Sequence, residues 1–387
     1  MFRIKTLNKI SPVGLAVLDK NQYTVSEDFE DPDGIIVRSA DMHNYEFGAS
    51  LRCIGRAGAG VNNIPLDRCS ENGIVVFNSP GANSGAVKEL ALCALFLASR
   101  DIIGGIDWVK TIADKGDEVA ALVEKGKSKF TGPELAGKTL GIIGLGAVGR
   151  KIANAAIDLG MNVYGYDPFL SVDAAWMLSS RITHAIDLET IYRNSDYISI
   201  HVPLTNDTRG MINADAINLM KGHVRIINIA RGELIDDDDM IAALASGRVA
   251  RYVTDFPNGK TAGAPGVIAI PHLGASTPES EDNCAVMAAN EVADYLANGN
   301  IANSVNMPSV SLTRSGAARL CVIHKNIPNM IGSILKIVAD QNINVENMVN
   351  KSRGDYAYTI IDLTTRVHET LADAVKNLDG IIRVRLL

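Results

Sequence analysis

Long apolar runs are missing from this chain: none reaches the ~18 residues a membrane-crossing helix needs, and the opening MFRIKTLNKI lacks the apolar core of a signal peptide. A chain with neither is expected to work in the cytoplasm. Cysteine is sparse as well. The five cysteines (Cys53, Cys69, Cys93, Cys284 and Cys321) form no CxxC pair, which argues against a disulfide framework and a structural zinc site and leaves core filling as their expected use. Positive charge is also short, with a net charge of -7, so nucleic acid and anionic membranes are disfavoured as partners. An anionic substrate would have to meet local basic residues, and no metal is expected.

What the chain does have is an ordinary globular composition, 47% hydrophobic and 21% charged over 387 residues, enough for two or three domains with cores of their own. From residue 34 short β-rich runs (GIIVRSA, LRCIGRAGAG, IVVFN) alternate with helical stretches, the rhythm of βαβ units and a parallel sheet. Asn83 or Ser84 is placed to cap one long helix, GAVKELALCALFLASRDIIGGIDWV, rich in Ala and Leu and free of proline. A second series, TLGII, MNVYGYDP, SDYISI, HVRIIN, RYVTDFP and VIAI, predicts a six-stranded dinucleotide-binding sheet. The helix after it ends at Gly299. From about Ala317 the order strand, helix, strand, turn at Arg353-Gly354-Asp355, strand, helix, strand is the ferredoxin-like βαββαβ pattern. The run Asp236 to Asp239 reads as a solvated helix start, where negative charge suits the macrodipole.

Gly144-Leu145-Gly146-Ala147-Val148-Gly149 is a GxGxxG, a weak signal alone. Its setting strengthens it, because TLGII before it reads as a buried strand and RKIANAAIDLG after it as a helix. The backbone of Gly144, Gly146, Ala147, Val148 and Gly149 is then placed to approach a pyrophosphate at a helix N-terminus. Asp167, at the end of the next strand, can accept from an adenosine ribose and repel a 2′-phosphate, so NAD is expected over NADP.

In open parallel sheets ligands lie beyond the carboxyl ends of the strands, and three of those ends carry chemistry: HVPLT from His201, NIARG from Asn228 and PHLG from Pro271. Hydride removal from a 2-hydroxy acid needs a cation for the carboxylate and C2 oxygen and a base for the hydroxyl proton. Arg231 and His272 have that chemistry. The segments LGIIGLGAVG, HVPLT, NIARGELID and PHLGAST, in that order, resemble the NAD-dependent D-isomer-specific 2-hydroxyacid dehydrogenases over about residues 34–308. Within the family, GRAGAGVNNI, PHLGASTPE and the attached C-terminal unit are most similar to the short, regulated phosphoglycerate-oxidising branch.

By position, the resemblance implies that Arg231 binds the substrate carboxylate and His272 is the acid/base. It also implies a substrate pocket of Arg38, Ser39, Arg56, Gly58, Ala59, Gly60 and Asn83, with Lys127 and Lys129 as optional extra charge. His201, Pro203, Thr208, Ala230, Asp255 and Gly274 would contact the cofactor, His201 as a neighbour of the nicotinamide and not as the base. The fold it implies is two Rossmann-like doubly wound domains (1–95 with 284–310, and 96–283) followed by 317–387. That last unit resembles an ACT domain, which implies L-serine as an effector at His324, Asn326 and Asn344 and a homodimer or homotetramer. Asn329 stands where the family pattern has a glycine, and Asn tolerates left-handed backbone.

One departure stands out. The family follows its Asp with Asp-Val-Phe-x-x-Glu-Pro, whose Glu pairs with the catalytic His, whereas TDFPNGKTAGAPG puts Lys260 there and has no further acid before Glu279. Without that carboxylate the imidazolium loses a stabiliser, so oxo-acid reduction is expected to decline above pH ~6.5. Two other readings remain open: a dehydrogenase for an unphosphorylated acid such as 2-hydroxyglutarate, glycerate or glyoxylate, and an NAD-sensing binding protein without turnover.

Overall fold

The computed structural model describes residues 1–387, which divide into two compact units, 1–83 with 278–387, and 84–277. In the first, β1 (Phe2–Leu7), β2 (Tyr23–Ser26), β3 (Gly34–Val37), β4 (Cys53–Arg56) and β5 (Val75–Asn78) form a parallel sheet of order β2-β1-β3-β4-β5. The order reverses between β1 and β3, which makes their carboxyl ends a natural ligand site. β1 and β2 were not anticipated from the sequence: FRIKTL alternates too weakly, and YTVS is too short to stand out.

The unit 84–277 is built on β6 (Thr139–Ile143), β7 (Asn162–Tyr166), β8 (Thr183–His184), β9 (Tyr197–Ile200), β10 (Val224–Asn228), β11 (Val249–Thr254) and β12 (Val267–Ala269), in the order β12-β11-β10-β9-β6-β7-β8. This is the dinucleotide-binding order with its reversal between β6 and β9, plus one strand. The two-residue β8, exposed at the edge, is a seventh strand beyond the six expected. β9 and most of β6 are buried on both faces, as central parallel strands must be. The long helix expected after residue 84 is two, Ser84–Ser99 and Ile102–Thr111. The chain breaks at Asp101, whose carboxylate caps the second helix through the Gly104 N–H at 3.1 Å.

The C-terminal sheet is antiparallel, β13 (Ala318–Lys325), β14 (Val345–Arg353), β15 (Tyr356–Leu363) and β16 (Ile381–Leu386), in the ferredoxin-like order β14-β15-β13-β16. Its turn is at Gly354, with φ 58°. Helices Met330–Asp340 and Glu369–Lys376 bury Ile334, Val338, Leu371 and Val375 against one face. The other face carries Cys321, Ile323, Tyr358 and Ile360 into the core of the first sheet, where they join Tyr295 and Leu296 of helix Pro278–Asn298. The tail thus shares a core with residues 1–83. That helix buries Cys284, Ala285, Ala288, Val292 and Tyr295, a single 3.6-period face. It stops at Gly299 (φ 75°), the left-handed residue that ends many helices. No helix is long and apolar enough to cross a membrane.

Candidate active site

The glycine turn after β6 is shaped by close contacts. Gly144 has φ 92° and would place a Cβ 2.7 Å from the His201 carbonyl oxygen, and a Cβ on Gly149 would collide with the Gly144 carbonyl. Gly146, by contrast, opens onto free space at the start of helix Ala147–Asp158 and has no side-chain cap there. Backbone N–H groups facing an open cradle at a helix N-terminus suit an anion such as a pyrophosphate. Asp167 follows β7, and its carboxylate accepts from the Leu145 and Phe169 N–H groups, both at 2.9 Å, so it holds the turn while keeping lone pairs for a ribose.

Four loops follow the carboxyl ends of β9 to β12. His201 shares Nε2 with the Ser199 hydroxyl at 2.7 Å, and burial pushes its imidazole down to about 3, which keeps it neutral. Thr208 closes the next loop by donating to the Pro203 carbonyl (2.7 Å) and accepting from the Thr205 N–H (2.8 Å). After β10, fully buried Asn228 organises the turn: its Nδ2 donates to the Arg231 carbonyl at 2.8 Å and its Oδ1 accepts from the Ala230 N–H at 3.2 Å. The Arg231 side chain projects outward from that turn, exposed.

Asp255, 1% exposed after β11, accepts from the Gly274 N–H at 3.2 Å through Oδ2, while its Oδ1 is buried without a partner. Burial raises its carboxyl, against the pull of the Gly274 N–H and of the His272 and Arg231 charges. Both candidate catalytic residues meet the Phe256 ring. The His272 ring packs on it with centroids 4.4 Å apart, and the Arg231 guanidinium lies 5.5 Å from its centre. Lys260, at the position of the family Glu, is drawn away from this cluster, its ammonium 2.8 Å from both oxygens of Asp238. Within the acidic run, Asp236 caps its helix, Asp237 accepts from Asn258 at 2.7 Å and Asp239 from the Ala214 N–H at 2.7 Å.

In the other unit, the expected substrate residues follow the carboxyl ends of β3, β4 and β5. Asn8, at φ 67° after β1, accepts from the Ser39 (3.1 Å) and Ala40 N–H groups and so fixes the loop after Arg38. Arg38 is paired with Glu281 at 2.6 Å. Arg56 is half-buried with an Nε that has no partner, and burial, with Arg38 nearby, lowers its pKa. Asn78 donates to the Ala59 carbonyl at 2.6 Å, and the Ser79 N–H to that of Gly58 at 3.0 Å, so the Gly58 to Gly60 backbone is held beside Arg56. Asn83 is the last residue of this segment, partly buried. Lys127 and Lys129 lie on an exposed 3-10 turn, Lys127 paired with Glu124. In the tail, His324 is 2% exposed with both nitrogens engaged, at 2.8 Å from the Lys325 carbonyl and 2.9 Å from the Thr359 hydroxyl. Asn326 donates to the Gly354 carbonyl at 3.1 Å, and Asn344 is exposed.

Asn228, Asn8 and Phe256 were not singled out in the sequence. Asn228 and Phe256 lie inside quoted motifs, but their roles depend on which strand ends are neighbours.

A doubly wound sheet with a cradle beyond its first strand and an Arg/His pair beyond its later ones defines a dinucleotide-binding dehydrogenase fold. A family model for the D-isomer specific 2-hydroxyacid dehydrogenase, NAD binding domain, matches residues 97–274, and the chain belongs to that family. It is 34% identical over 352 residues to D-3-phosphoglycerate dehydrogenase of Escherichia coli K12, covering 87% of this chain and 82% of that protein. It is 32% identical to the protein of that name from Methanocaldococcus jannaschii, covering 94% of this chain and 67% of the relative. Against the Bacillus subtilis protein it spans 64% of the relative's length. A crystal structure of NAD+-bound 3-phosphoglycerate dehydrogenase from Entamoeba histolytica superposes with a TM-score of 0.60 at 27% identity, covering 79% of this chain and 98% of that one.

The cofactor is NAD, and the residues fit it: the open cradle at Gly146 suits the pyrophosphate, Asp167 a ribose, and the orphaned Oδ1 of Asp255 an amide donor.

Proposed function

We propose that the chain is a cytoplasmic enzyme that oxidises D-3-phosphoglycerate to 3-phosphohydroxypyruvate, the opening step of the phosphorylated route to L-serine. The observation that carries this reading is the contact of both Arg231 and His272 with the Phe256 ring beyond the strand ends of the NAD-binding sheet. Arg231, fixed by Asn228, binds the substrate carboxylate and draws electron density from the C2 oxygen. His272, packed on Phe256, takes the C2 hydroxyl proton. When bound, NAD+ supplies the hydride acceptor. Arg56, with its unpartnered Nε, and Arg38 provide the guanidinium charge that suits a phosphate.

L-serine is proposed as effector at the tail, with exposed Asn326 and Asn344 meeting the ligand and buried His324 behind them. Self-association into at least a dimer is proposed too. It is supported by an exposed apolar stripe on helix Ile102–Thr111, with Ile103, Ile106 and Val109 at 43%, 54% and 42% exposure. A panel of oxo acids with NADH, with and without L-serine, tests the reading. Turnover of phosphohydroxypyruvate and its inhibition by serine are expected. Turnover only of hydroxypyruvate, glyoxylate or 2-oxoglutarate would replace the substrate, and NADH binding without any turnover would make the chain a sensor.

A further inference from the structure

A cavity of about 560 Å³ opens beside the free edge of β16, lined by Arg52, Lys376, Arg383 and Arg385 with Glu369 as the acidic residue in its wall. Two of these arginines lack any carboxylate partner. Arg385, 8% exposed, donates to the Tyr295 and Leu296 carbonyls at 2.9 and 2.6 Å, and Arg383 to those of Leu51 and Asn72. Each spends donors on neutral acceptors, so other N–H groups and the full charge remain. Arg52 adds a third guanidinium, held only loosely by Asp33 at 3.4 Å. Burial, with the repulsion of Arg52 and Arg385, lowers the pKa of Arg383 against the opposing pull of Tyr295 and Cys53.

The backbone adds donors. Arg319 and Leu387 exchange N–H bonds at 2.9 and 2.8 Å, which fixes the phase of the β13–β16 ladder. By antiparallel alternation the N–H groups of Val384 and Leu386 then point to the open side, where both residues line the cavity. Arg52 precedes β4 and Arg56 ends it, about 13 Å away along the strand, so this cluster is separate from the substrate-side arginines.

We propose that this cavity is a second anion site, which takes a small organic oxyanion with two or more acidic groups. Its volume falls in the range of metabolite pockets, and guanidinium forks with edge N–H groups recognise phosphate and carboxylate alike.

Calorimetric titration of the full chain with inorganic phosphate and with citrate, at ionic strength matched by chloride, tests it. The background is Arg56→Ala, so that the substrate-side guanidinium does not report. Binding is expected there. Adding Arg383→Gln should weaken it by about tenfold or more, and adding Lys376→Gln, at an exposed position safe for folding, by about threefold. Saturation by phosphate alone identifies a phosphate ester as the ligand class, and saturation by citrate a polycarboxylate. No heat beyond chloride for either, or binding indifferent to both added substitutions, overturns the site. If Arg383→Gln does not fold, Lys376→Gln decides alone.

Discussion

Arg231 and His272 were legible in the sequence because each closes a short motif at a strand end, and strand ends are where an open parallel sheet puts its ligands. Their shared contact with Phe256 was not, since it depends on loops that only the β12-β11-β10 order makes neighbours. Arg231→Gln should lower kcat/KM for oxo-acid reduction by about two to three orders of magnitude, the scale of losing an oxyanion donor, with folding unchanged by circular dichroism. A loss below tenfold would remove Arg231 from the chemistry. Lys260 told less than its position promised: it serves Asp238. The carboxylate beside the PHLG turn is instead Asp255, which accepts from the Gly274 N–H at 3.2 Å.

Whole elements were read well where the pattern was long. The GxGxxG strand and helix, the later strands and the βαββαβ order all follow from periodicity and turn residues, whereas β1, β2 and β8 are short or weakly patterned. The break at Asp101 was missed because the Ala/Leu run on one side and the Ile-rich run on the other read as one helix. Asn329, at φ 62° before helix Met330–Asp340, tests the tail's first turn. Asn329→Ala should cost about 1–2 kcal/mol in denaturant unfolding and Asn329→Gly little or nothing.

On helix Pro278–Asn298, Glu291 is 8% exposed, accepts from Asn303 at 2.7 Å through Oε1 and leaves Oε2 unpartnered. Burial pushes its carboxyl from 4.5 up to about 7. The folded state therefore holds this proton more tightly than the unfolded chain does, and stability falls as pH rises from about 4.5 to 7, then levels. Glu291→Gln should be neutral near pH 4.5 and stabilise by about 1–3 kcal/mol above pH 7. A difference from wild type that does not vary with pH would contradict the burial argument.

At the scale of the whole molecule, the βαββαβ pattern marks 317–387 as a unit of its own, and Cys321, Ile323, Tyr358 and Ile360 of that unit share a core with the first sheet. Hydropathy identifies such residues as buried without saying against what. Self-association belongs to this scale too: Ile106→Asp should shift the particle to monomer mass in light scattering if the stripe is the interface, and an unchanged mass would place it elsewhere.

The central claim, that the chain acts on a phosphorylated 2-hydroxy acid, is tested most directly by kcat/KM with NADH for phosphohydroxypyruvate and hydroxypyruvate, in wild type and Arg56→Ala. The account predicts a strong wild-type preference for the phosphorylated acid, reduced by about two orders of magnitude in Arg56→Ala through loss on that substrate alone. No preference in the wild type, or an equal loss on both acids, would contradict it.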